Sequence, residues 1–279
     1  MSKKLSKQKL NDIITYGIVI AAFVIMQILI NAGEISSLFQ GLMVPLCTYI
    51  ILAISLNLVV GILGELSLGH AGFMCVGAFT SSFFSKAMQD TITNSTVRFL
   101  LALLIGIITA AIFGIIIGIP VLRLNGDYLA IVTLAFGEII KNLVNVLFIG
   151  KDSKGFHFST KDAVSLNMEP DGKIILNGPQ GITGTPNDST FFIGFILILV
   201  TLFIVLNLIH SRDGRAIMAI RDNRIAAESI GINITKYKLM TYTISAAMAG
   251  AAGVLYAHNL SNLTANTNNF GYNLSLIHI

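Results

Sequence analysis

Apolar runs of about twenty residues alternate with short polar stretches along this chain. A helix rising 1.5 Å per residue needs about that length to cross the ~30 Å hydrocarbon layer of a bilayer. Runs of this kind fall at 13–30, 41–62, 67–84, 99–119, 127–149, 191–209 and 239–257. The first, second, fourth and sixth are almost purely apolar. The third, fifth and seventh are interrupted by Gly, Ser, Thr or charged residues. Lipid offers such polar groups no partner, so these three are expected to face other helices or a cavity. The pattern predicts an all-α fold, a polytopic transmembrane helical bundle with about seven spans forming one domain over residues 1–279.

Composition agrees with the pattern. The chain is 54% hydrophobic and only 11% charged, where soluble domains carry about 25% charged residues. Its net charge of +4 therefore reads as a topology signal rather than a nucleic-acid footprint. A nucleic-acid binder needs clustered Lys and Arg with interleaved aromatics, and the chain has no such cluster. Cys47 and Cys75 lie inside apolar segments at a spacing that suggests neither a disulfide nor a metal site. Lys3, Lys4, Lys7 and Lys9 precede the first apolar run, which shows no small-residue cleavage site, so it reads as an uncleaved first span. With the N-terminus cytoplasmic, seven spans put 1–12, 63–66, 120–126 and 210–238 inside. That side then collects Arg123, Arg212, Arg215, Arg221, Arg224, Lys236, Lys238 and the four N-terminal lysines. Lys86, Arg98, Lys151, Lys154, Lys161 and Lys173 fall outside, four of them in the long external loop 150–190, and long loops count little toward the rule.

The segment 211–238 is the most unusual. Five of the eighteen Lys and Arg lie between Arg212 and Lys236, between two apolar spans. Its apolar residues, among them Ile217, Ile220, Ile225 and Ile230, make no single stripe at 3.6-residue spacing. A bend near Asp222–Asn223 divides them into two short helices with apolar faces of their own. Gly231 is placed to cap the second, and Arg224 and Glu228 are spaced to pair. The segment is either a solvated amphipathic linker or a short helix that docks into a groove on a cytoplasmic partner. Its length and apolar content favour docking.

Two interrupted spans hold ionisable residues at membrane depth, where they are costly and often functional. In 64–72 these are Glu65 and His70, with Ser67 between them. Either a helix break here lines a translocation path, or Glu65 sits at the cytoplasmic boundary while His70 hydrogen-bonds within the bundle. Before 126–141, Pro120 and Gly126 end the preceding span, and Asp127 can cap the next helix. Glu138 and Lys141 share a face and can pair; the alternative turns Glu138 toward the path or a partner span. The external loop ends in NGPQGITGTP (177–186), a turn-rich stretch. A phosphate cradle there is disfavoured, because no Lys-Ser/Thr follows the glycines and no strand is read before them. No P-loop occurs in the sequence, and its five histidines are scattered. Neither catalytic residues, a metal site nor a cofactor is expected in this chain, and ATP use would belong to a partner.

Four stretches together resemble the LivM-type permeases of branched-chain amino acid ABC importers. They are GELSLGHAGFMCVGAF (64–79), GDYLAIVTLAFGEII (126–140), GPQGITGTP (178–186) and GRAIMAIRDNRIAAESIGINITKYKLMTYTISAAMAGAAGVLYAH (214–258). They follow in order over about residues 40–260, and the last is the most specific. The resemblance implies a bacterial plasma-membrane permease subunit. Its implied partners are a LivH-like permease, two cytoplasmic ATPases that drive transport, and an extracytoplasmic binding protein that delivers substrate. It implies that 221–231 is the ATPase-coupling region, with Arg221, Ala226, Ala227, Glu228 and Gly231 as its residues. Glu65, Ser67, His70 and Glu138 are the expected path-lining residues. Members of this family continue beyond the region of His258 with further spans, so the resemblance also implies a chain truncated at its C-terminal end. The alternatives are a related permease for urea, short amides or nucleosides, and a secondary transporter or channel without an ATPase, which would need an intramembrane ion site and internal repeats.

Overall fold

A computed structural model of the chain describes residues 7–33, 35–121, 124, 127–170 and 172–266. The first lysines, Arg123, Gly126, the Asp127 side chain read as a cap, and everything from 267 onward lie outside the described residues. Nine α-helices are described: α1 Lys7–Asn31, α2 Ser37–Asn57, α3 His70–Ala87, α4 Ser95–Val121, α5 Asp127–Val146, α6 Phe191–His210, α7 Arg212–Asp222, α8 Arg224–Ser229 and α9 Ile234–Ala257. Among the described residues, six helices (α1, α2, α4, α5, α6 and α9) are long and apolar enough to cross a membrane.

The seventh member, α3, packs inside the bundle against α4, α5 and α9. This explains its mixed composition. Ser81, Ser82 and Ser85 are buried in protein, and Ser81 Oγ donates to the Ala78 carbonyl at 3.0 Å, so its polar group meets a partner rather than lipid. Small residues let α3, α4 and α9 approach closely. A Cβ on Gly77 would stand 2.5 Å from the Gly250 Cα, the close packing that small-residue positions permit between membrane helices.

The second span does not remain α-helical to its end. Residues Leu58–Leu63 form a π-helical turn closed by Gly64, whose φ of +80° is the left-handed conformation that glycine adopts at no steric cost. Residues 64–69 are then non-helical, and α3 begins at His70, three residues later than the third apolar run. At its start α9 also differs from the apolar run. Asn233 caps it, its side chain accepting from the Lys236 amide at 3.0 Å, and the helix takes in 234–238.

The external segment contains strands as well as turns. β1 Phe148–Asp152 lies between β2 Gly155–Ser159 and β3 Lys173–Asn177, both antiparallel to it, and β4 Ile182–Thr183 pairs with β5 Asn262–Leu263. A strand therefore does precede the glycines of 178–186. It leads through a 3₁₀ turn, Gly178–Gln180, into β4 and not into a helix, so the phosphate-cradle geometry is still absent.

Contacts sort the polar segments into two ends. At one, His210 Nδ1 lies 3.6 Å from Asp12 Oδ2, Arg221 reaches Gly61, Lys238 pairs with Glu65, and Leu124 packs in the same cluster as Leu58 and Ile217. At the other, Lys86 Nζ donates to the carbonyls of Ile174 and Thr183 at 3.1 and 2.7 Å. Lys151 donates there to the Ala87 carbonyl at 3.0 Å, and Arg98 pairs with Asp188 at 2.8 Å. The segments grouped by the charge pattern thus share an end of the bundle.

Candidate functional site: a docking segment beside a helix break

The polar segment after α6 folds as two short helices meeting at Asn223. Its backbone is extended there (φ −155°, ψ 102°), and its side chain accepts from the Ala226 amide at 3.0 Å, capping α8. Gly231 ends the unit with φ +85°. Its N–H donates to Glu228 O at 3.0 Å and that of Ile232 to Ala227 O at 3.1 Å, a left-handed C-terminal cap.

Each helix has an anchored side. Ile217 is fully buried among Leu58, Val59, Ile62 and Leu63, and Ile220, Ala227 and Ile234 form a second small cluster. Ala227, one of the residues assigned to coupling, is thus turned into the protein. Ala226 and Glu228 are exposed, and so are Ile225 at 82% and Ile230 at 75%. Ile225, in the first turn of α8, and Ile230, at its C-cap, are thus open apolar side chains on a helix capped at both ends.

Beside it lies the break 64–69, held from three sides. Leu68 N–H donates to Thr133 Oγ1 of α5 at 3.0 Å. Glu65 pairs with Lys238 of α9, a lysine only 3% exposed. His70 Nε2 and Ser55 Oγ share a hydrogen bond of 2.6 Å, and Ser245 Oγ donates to the Ser55 carbonyl at 2.6 Å. The buried Ser67 hydroxyl lies beside that of Tyr242, yet neither reaches hydrogen-bonding geometry with a protein group among the described residues, and nor does Glu65 Oε2. Three polar atoms at or beside the break are therefore buried without a protein hydrogen bond among the described residues, where folded proteins pair nearly all such atoms.

The structure brings Glu65, Ser67 and His70 together and leaves Glu138 apart. Glu138 lies five residues beyond Thr133 on α5, about 7.5 Å along the axis, and pairs with Lys141 on its own helix. Sequence reasoning missed Lys238 and Tyr242 as members of the site. Their signal was present: two polar residues four apart at the start of an apolar span occupy one helical face.

Over residues 38–279 the chain matches the family described as branched-chain amino acid transport system / permease component. It belongs to that family of membrane transport permeases. It is 36% identical over 218 residues to the high-affinity branched-chain amino acid transport system permease protein LivM of Salmonella typhimurium and 37% identical to that of Escherichia coli. Each match covers 75% of this chain and 50% of the relative, so the chain spans about half the length of these two proteins. It is 26% identical over 249 residues to the probable branched-chain amino acid transport permease protein LivM of Methanocaldococcus jannaschii, covering 78% of this chain and 66% of that protein. No solved structure matches the chain.

Proposed function

We propose that this chain is a transmembrane permease subunit of an ATP-driven importer for branched-chain amino acids in a bacterial plasma membrane. Its N-terminus is cytoplasmic, which places α7 and α8 on the side where ATP is available. A second, LivH-like permease completes the pathway, two cytoplasmic ATPases drive it, and an extracytoplasmic binding protein delivers substrate. The observation that carries this reading is the α7–α8 unit: a capped pair of helices seated by Ile217, Ile220 and Ala227, presenting Ile225 and Ile230 to solvent. Exposed apolar side chains on a capped helical unit fit a groove on a soluble protein. Hydrolysis chemistry resides in that partner.

Glu65, Ser67 and His70 line the translocation route where the second span breaks. The open valences of Ser67 Oγ and Glu65 Oε2 support this assignment. His70, buried and hydrogen-bonded to Ser55, and Glu138, paired within its own helix, have no such support. ATP binding displaces the docked segment, and the bundle exchanges outward for inward access. Substrate must bind the two states unequally for the cycle to do work.

The test is co-purification from native membranes with a tag at the N-terminus, followed by mass spectrometry. Recovery of two ATPases and a second permease supports the assembly; recovery of the chain alone refutes it. Uptake competition by leucine against urea and nucleosides then reads the substrate class.

A further inference from the structure

One side chain ties the docking segment to the break. Arg221, at the end of α7, donates through Nη1 to the Gly61 carbonyl at 3.1 Å, in the middle of the π-helical turn. Its Nε and Nη2 both donate to Asp222 Oδ1, at 3.0 and 2.9 Å, which fixes the plane of the guanidinium. Its aliphatic stem covers Gly64, where a Cβ would stand 2.5 Å from Arg221 Cγ. The head therefore holds residue 61 and the stem covers residue 64, while the next residue, Glu65, is held by Lys238 of α9.

A π-helical turn carries one residue more than the α-helix it interrupts, and such turns concentrate at functional sites. Resolving it into α-helix would rotate the chain that follows by about 100° and shift it by about 1.5 Å. Such a resolution would give the element gripped by Arg221 a second discrete arrangement, which carrying a displacement between sites requires.

We propose that Arg221 is a positioning residue that points inward. It latches the π turn 58–63 and the break 64–69 to α7, so that movement of the docking segment reaches the Glu65–Ser67–His70 region. This rests on the proposed function and deepens it: Arg221 transmits to the route, while Ile225 and Ile230 meet the ATPase. The buried packing of Ile217 against the turn supplies cohesion, and the Arg221 hydrogen bond supplies direction.

The experiment is hydrogen–deuterium exchange on the assembled complex in lipid nanodiscs, with and without a non-hydrolysable ATP analogue. In the parent complex both 212–231 and 58–69 are expected to change exchange on nucleotide binding. In Arg221→Ala the response of 212–231 persists and that of 58–69 falls at least threefold. Arg221→Lys, which keeps a cationic donor for Gly61, recovers part of it. An undiminished response at 58–69 in Arg221→Ala overturns the latch while leaving the docking assignment intact. No response at 212–231 in the parent overturns both. Should Arg221→Ala fail to assemble, Asp222→Ala keeps the arginine but removes the carboxylate that orients it. It is expected to weaken the 58–69 response alone, and a full response there equally overturns the proposal.

Discussion

Lys238→Met isolates the energetics of the break. Lys238 is 3% exposed, and its ammonium meets the carboxylate of Glu65, whose second oxygen has no protein partner among the described residues. Removing the lysine leaves a largely buried carboxylate without its ion-pair partner, and breaking a buried pair in this way costs about 3–5 kcal/mol. Removing both charges as Glu65→Leu/Lys238→Met replaces the pair with apolar volume, which is often neutral or stabilising. The double variant is therefore expected to be more stable than Lys238→Met alone. The chain has no tryptophan, but Cys47 and Cys75 are buried in the core, at 2% and 0% exposure. A thiol-reactive fluorogenic dye on the detergent-solubilised protein will report unfolding as these two thiols become accessible. At about 2–4 °C per kcal/mol, the single variant should lower the midpoint by about 6–20 °C, and the double should recover most of it. A shift under about 1 °C for Lys238→Met, or a double variant as unstable as the single, would refute the view that this pair is a buried, mutually dependent unit.

Three further outcomes are expected. In Gly253→Ala the new Cβ presses into the Met74 carbonyl and stands 3.0 Å from the Ala78 nitrogen; both are backbone, so α3 and α9 must part, costing about 1–3 kcal/mol as overpacking and lowering the midpoint of the same thiol assay. Asn223→Ala removes the α8 cap at about 1 kcal/mol, and should weaken the crosslink from a cysteine at Ile225 to the ATPase while leaving expression unchanged; an unaltered crosslink would show that docking does not need a preformed α8. In the external sheet, burial alone would raise the pKa of Asp152, but the amides of Lys154 and Glu169, the His157 imidazole and the Gly155 amide together hold it below the usual carboxylate value of 3.8. A carboxyl depressed in the folded state stabilises fully above its unfolded pKa and loses that contribution as pH falls through the folded value. Hydrogen exchange across 148–177, corrected for intrinsic rate, should therefore rise as pH drops below about 4, and Asp152→Asn should remove that dependence.

Much of the site could be read from local sequence. The bend at Asp222–Asn223 and the cap at Gly231 follow from turn and cap chemistry within four residues of each position. The exposed Ile225 and Ile230 follow from an apolar pattern that one helical stripe cannot absorb. The break after the second span was legible as a cluster of Gly, Glu, Ser and His, although its π-helical form was not, because a single inserted residue leaves no mark on hydrophobic periodicity. The external strands β1, β2 and β3 escaped notice because each is only five residues long and lies among turn-forming residues, too short for its own pattern to identify it before it finds a partner. β1 gains its identity only between β2 and β3.

By itself the sequence determined that this chain lives in a bilayer as a bundle of apolar helices, and that a polar segment with its own bend and cap lies between two of them. These follow from composition and from periodicity among neighbouring residues, where the local cost of burying or exposing each side chain decides. Tertiary structure alone decided which polar residues of the interrupted spans meet. Glu65 and Lys238 are 173 positions apart, and Arg221 and Gly61 are 160 apart. No local rule pairs them. They meet because close packing of α3 and α9 through small residues draws the start of α9 beside the break, and because the seat of Ile217 among Leu58, Val59, Ile62 and Leu63 brings Arg221 over the π turn.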